Sequence, residues 1–158
     1  MKPRWLVYAL AGIVFGILDW HIVQWSTALT SPGSRLADLP GAWLYAFNSL
    51  VWLVPILPVA WHAAKSARAW RQVSIAGMLT WGSAVISYYA YYGLRLSLGK
   101  VPGWEHLDVF AGKETQFWTV FWQAFKPLIL FQILEWGWVA LFGGFLVGWV
   151  VWKARGSK

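Results

Sequence analysis

The sequence predicts an all-α integral membrane protein: a four-transmembrane-helix bundle with an interfacial aromatic helix before the last span. Three observations predict it. Hydrophobic residues fill 59% of the 158 positions and charged residues 12%, about half the ~25% of soluble domains and too few to clothe a water-exposed surface. Four apolar stretches are each long enough to cross the hydrocarbon, which takes about 20 helical residues. The 15 Trp are an excess of the amphipathic aromatics that concentrate at membrane–water boundaries.

The spans fall at about 5–25, 42–60, 73–94 and 127–152, each bounded by Trp, Tyr, Lys or Arg, and together they make one transmembrane domain over 1–158. The first resembles a cleaved signal peptide in having basic residues ahead of an apolar run. It is read as retained, because the run is too long, carries Asp19, and is followed by no small-x-small cleavage site. Gly12, Gly16, Asp19 and Val23 share one face of it, and such a small-xxx-small pair lets helix backbones approach closely. His21 sits about 200° around the helix from Asp19, so the two form no dyad. Its expected partners are Gln24, an interfacial helix or lipid headgroups.

In the second span Asn48 heads a stripe with Trp52 and His62, and Pro55 and Pro58 are expected to kink the helix and free carbonyls. The third carries a narrow hydroxyl face of Thr80, Ser83, Ser87 and Tyr91. Before the fourth, "ETQFWTVFWQAFK" spaces Phe117, Trp118, Phe121, Trp122 and Phe125 as an aromatic helix over about 114–126, lying in the interface plane. The alternative is one long helix kinked at Pro127. In the fourth span Gln132 and Glu135 share a face and Gly137 and Gly144 point roughly opposite, with a further small-xxx-small pair at Gly144 and Gly148.

Orientation follows from the basic residues. Lys2, Arg4, Lys65, Arg68, Arg71, Lys153, Arg155 and Lys158 fall on one side with no acidic residue. The other side mixes Arg35, Arg95, Lys100, Lys113 and Lys126 with Asp38, Glu105, Asp108 and Glu114. The expected location is the cell inner (plasma) membrane, multi-pass, with both termini cytoplasmic. The net charge of +7 is thereby a topology signal and not a nucleic-acid footprint.

The remaining acids, Asp19 and Glu135, lie inside the spans. A charge at the bilayer centre costs at least about 2.5–3.5 kcal/mol, so such groups face protein or water and mark function. Counting about 1.5 Å per residue from the outer ends, Asp19, Asn48, Gln132 and Glu135 share a depth near the Tyr88–Tyr92 cluster. These residues predict a polar ligand site built from Asp19, Asn48, Tyr88, Tyr91, Gln132 and Glu135, with Gly12, Gly16, Gly144 and Gly148 serving helix packing.

Absent Cys excludes disulfides, thiolate catalysis and Cys-held zinc or iron–sulfur centres. No phosphate-binding Gly loop, nucleophile elbow or HExxH occurs, and His21 and His62 lie at opposite ends. No metal and no cofactor is therefore expected. The partners expected are the lipid bilayer and either further copies of the chain or a partner membrane subunit. Three functions follow. The favoured one is binding of a small molecule or cation in the outer half of the bundle, with transport by an oligomer or as a subunit. The alternatives are an intramembrane acid–base enzyme acting on a lipid or quinone, which is less favoured, and a structural or assembly subunit of a larger complex.

Overall fold

The computed structural model describes residues 4–30, 47, 50–98, 117–120, 122–123 and 126–156, and among them there is helix and no strand. Four helices carry the structure: α1 (Trp5–Thr30), α2 (Leu53–Ser66), α3 (Trp70–Ser97) and, after the single turn α4 (Phe117–Val120), α5 (Lys126–Gly156). Two of them, α1 over Trp5–Ser26 and α5 over Ile129–Arg155, are long and apolar enough to cross a membrane. At 28 residues α3 is long enough as well, but hydroxyls interrupt its apolar run, and those of Thr80, Ser83 and Ser87 face α1.

Helix α3 is the centre, and α1, α2 and α5 all pack on it. On the α1 side the seam is polar. Thr80 Oγ1 donates to the Tyr8 carbonyl at 3.2 Å, Ser83 Oγ to Ala9 at 3.0 Å and Ser87 Oγ to Ile13 at 3.1 Å. Each hydroxyl also bonds a carbonyl of its own helix. No α1 carbonyl gives up its helical bond to take part, because a carbonyl oxygen has two lone pairs. The approach needs Gly12 and Gly16: a Cβ at either would collide with the Thr80 or Ala84 carbonyl and with Ser83 or Ser87. The hydroxyl face of α3 and the glycine face of α1 are thus one parallel interface.

Helix α5 runs antiparallel to α3 along a second glycine seam. A Cβ at Gly144 would sit 2.6 Å from the Gly77 carbonyl carbon, and one at Gly148 would press on Ser74. Between the two seams, at one end of the bundle, Tyr8, Ala60, Ala63, Ala64, Val73, Ala76 and Val151 form a small-residue core. Tyr8 OH and His62 Nδ1 lie 3.2 Å apart beside it. That end also carries the basic residues Arg4, Lys65, Arg68, Arg71, Lys153 and Arg155. Arg71 lies over Trp70 and Arg155 over Trp61, each 5.7 Å from the ring centroid.

Local chemistry explains where the helices begin. A turn at Trp52 separates the helical residues 50–51 from α2. Pro55 cannot donate to the carbonyl four residues back, so the interruption falls before it, and Pro55 sits harmlessly in the first turn of α2. Only Pro58 is a proline within the helix. Helix α2 continues to Ser66, past the apolar stretch that ends at residue 60; most of the expected span before residue 50 lies outside the described residues. A three-residue connector then turns the chain back, and Gln72 Oε1 accepts from the Arg68 amide at 2.8 Å, satisfying a donor at the start of α3. Of the aromatic segment 114–126 only α4, residues 122–123 and Lys126, the first residue of α5, are described, with Trp118 and Trp122 exposed. Pro127 stands in the first turn of α5 as described, where its missing N–H costs nothing; residues 124–125, which would tell a start from a kink, lie outside the described residues.

Candidate functional site

The cross-helix contacts fix which residues share a level. Gly16 meets Ala84 and Ser87, Trp20 meets Tyr91, and Tyr89 meets Gln132. Asp19, Tyr88, Tyr89 and Gln132 therefore lie in one layer, in the half of the bundle away from the basic end.

Asp19 is 2% exposed, and its Oδ2 is buried with no hydrogen-bond partner. It follows Gly16 by three residues and so lies on the face that meets α3. Its charge is close enough to act on the Tyr88 and Tyr89 phenols. One turn below it, Phe15 packs edge-on to Trp52 at 5.8 Å. Trp52 in turn lies 6.2 Å from Tyr88, which meets Tyr89 at 5.0 Å. A run of rings from three segments of the chain thus lies at and just below the level of Asp19. Leaving a buried acceptor unsatisfied costs about 1–3 kcal/mol, more for a charged group. A buried acidic oxygen with no donor is a place for a cation or a proton.

On the far side of Tyr89 the layer continues to α5. Tyr89 OH donates to Gln132 Oε1 at 3.2 Å, and Trp136 Nε1 donates to the same oxygen at 3.1 Å. Gln132 is therefore held, and its amide nitrogen is the group left to face a neighbour. Glu135 is not brought together with Asp19. It is exposed, and at 100° per residue it lies about 60° round α5 from Gln132, the residue that bonds Tyr89. Its charge acts on Tyr89, so Tyr89 stands between the two acids.

Tyr91 belongs to a separate cluster. Its OH lies 3.1 Å from His21 Nε2, so the partner of His21 is on α3 and is none of the three expected. Tyr91 and His21 both pack edge-on to Trp20, at 5.4 and 4.9 Å, and Arg95 lies over the Trp20 ring at 5.0 Å. Trp20 is thereby clamped from three sides and buried, screening the Asp19 layer from the end of the bundle. Asn48 lies outside the described residues. Gly12, Gly16, Gly144 and Gly148 lie in the two helix seams, whereas a Cβ at Gly137 would meet nothing.

The site residues that sequence reasoning did not select are Tyr89 and Trp52. Tyr88, Tyr89, Tyr91 and Tyr92 spread over most of a helical wheel, and their spacing does not say which faces α1 and which faces α5. The proline at 55 was the available signal that Trp52 marks a helix start and turns inward. Among the described residues no three His, Asp or Glu side chains lie close enough to hold a metal ion. No family model matches the chain, and no curated protein or solved structure is detectably similar to it.

Proposed function

We propose that the chain is a multi-pass inner-membrane protein with four spans and cytoplasmic termini that binds a cation at Asp19, in the outer half of the bundle. The ligand is a monovalent cation such as a protonated amine, an alkali ion or a proton. Transport of that cation follows if further copies or a partner subunit complete a path. The observation that carries this proposal is the buried, unpartnered Asp19 Oδ2 in the layer of Tyr88 and Tyr89. Two features support the membrane placement: the apolar lengths of α1 and α5, and the collection of Arg4, Lys65, Arg68, Arg71, Lys153 and Arg155 at one end without an accompanying acid. An acid–base enzyme gains less support, since the second carboxyl it needs, Glu135, is exposed while Asp19 is buried.

The test is a titration of the purified protein in lipid nanodiscs, read by the change in its tryptophan emission, with Trp20→Phe and Trp52→Phe variants showing the share of each. Sodium, potassium, ethylammonium and tetraethylammonium chlorides are the probes, with choice of anion as the control. At least one cation should change the emission saturably, and Asp19→Asn should weaken it by about tenfold or more, the value of a lost charge-assisted hydrogen bond. Equal responses in the two proteins would refute cation binding at Asp19.

A further inference from the structure

The basic end of the bundle brings three cations from three helices into one row. Helix α5 contributes Arg155, whose guanidinium lies over the exposed Trp61 ring of α2 at 5.7 Å and whose Nη1 donates to the Trp61 carbonyl at 3.3 Å. Helix α1 brings Arg4, one turn before Tyr8, whose N–H donates to the Arg4 carbonyl at 3.2 Å. Tyr8 in turn meets His62 of α2, with 3.2 Å between OH and Nδ1. Between these two contacts comes Lys65. At 100° per residue it lies about 40° round α2 from Trp61 and about 60° from His62, one turn nearer the end. Arg155, Lys65 and Arg4 thus follow one another across α5, α2 and α1.

Orientation accounts for cations on this side but not for their convergence, since Lys or Arg anywhere near the ends of the spans serves topology. Converging like charges repel, and an acid or an outside anion relieves them. Asp19 and Glu135, the acids among the described residues, both lie in the other half of the bundle. The Trp61 ring sets the depth of the row. Exposed Trp settles at the level of the lipid headgroups, so the guanidinium held over it stands level with their phosphates. Stacked by its face, a guanidinium keeps its edge for phosphate. One N–H of Arg155 goes to the Trp61 carbonyl, and the others remain for an acceptor.

We propose that the row of Arg4, Lys65 and Arg155 binds the phosphate of an anionic phospholipid in the leaflet it faces. The proposal rests on the membrane placement of the chain, and on neither cation binding at Asp19 nor which leaflet this end faces. An acidic protein would answer the same charge, but the bilayer itself delivers phosphates to the depth of Trp61. Each Lys or Arg near an anionic leaflet strengthens the attraction about fivefold. A zwitterionic lipid has no net charge with which to gain it.

The chain has no Cys, so Ser66→Cys at the end of α2 takes a single bimane label next to Lys65. The full chain is assembled into phosphatidylcholine nanodiscs with increasing fractions of a quencher, either phosphatidylglycerol or phosphatidylcholine carrying a nitroxide near the headgroup. Phosphatidylglycerol should reach half-maximal quenching at a mole fraction about fivefold or more below that of phosphatidylcholine. Arg4→Gln with Lys65→Gln, both at exposed positions, should bring the two lipids to within about twofold of each other. Lys126→Gln, exposed toward the other end, should leave the preference intact. The double variant should unfold at the parent temperature in pure phosphatidylcholine, so a lost preference is not a lost fold. The proposal is overturned if the double variant keeps the preference, if Lys126→Gln loses it, or if the two lipids quench alike in the parent, as an acidic protein partner would require. It is also overturned if sodium phosphate abolishes the preference where sodium chloride of equal ionic strength does not, which would assign the row to free phosphate. Quenching by neither lipid refutes the membrane placement itself, while equal quenching by both refutes only the lipid contact.

Discussion

At the scale of single residues, Asp19 opposes binding to stability. A carboxyl placed against Tyr88 and Tyr89 with Oδ2 unpaired subtracts from folding free energy, and groups kept at such a cost are typical of functional sites. Asp19→Asn should therefore leave the thermal midpoint unchanged or raise it by a few degrees, about 1 kcal/mol or less in a chain this size. Differential scanning fluorimetry in detergent measures it. A fall of several degrees would make Asp19 a structural strut. The hydroxyls of α3 have the opposite character. Thr80 is fully buried, and its bond to Tyr8, like those of Ser83 and Ser87, is worth about 0.6 kcal/mol on average in a membrane. Both kinds of residue were visible in the sequence as polar interruptions of apolar runs. Which were glue and which were site was not, because that depends on whether a carbonyl or an empty acceptor stands opposite.

Helices were the most legible features, since their existence follows from apolar length alone. What the sequence held less openly was azimuth. Depth is a linear count of residues, and it placed Asp19, Gln132 and Glu135 together. Direction depends on which neighbour a helix chooses, and α5 chose α3 through Gly144 and Gly148, which turns Glu135 outward. The glycines make the point testable. Gly144→Ala puts a methyl against the Gly77 backbone and should destabilise by about 1–3 kcal/mol, the cost of overpacking. Gly82→Ala and Gly137→Ala meet nothing within 4 Å and should stabilise by up to about 1 kcal/mol through helix propensity. Thermal unfolding of the three variants side by side checks the sign of each. Equal effects at Gly144 and Gly137 would remove the α3–α5 seam.

For the molecule as a whole, the orientation that we propose from the charge pattern is one that cysteine accessibility measures. Single cysteines at Ser66 in the α2–α3 connector and at Ala154 near the end of α5 should react with a membrane-impermeant maleimide only in inverted vesicles. Labelling in intact spheroplasts would turn the protein over. The order of the helices in the chain has its own consequence. The surface that covers Asp19 comes from α3, where Tyr88 follows it by some seventy residues in synthesis. If α1 crosses the membrane as we propose, its acid enters lipid uncovered, at a cost of about 2.5–3.5 kcal/mol, until that stretch of α3 is made. The first helix expressed alone should then integrate less completely than the same helix with Asp19→Leu.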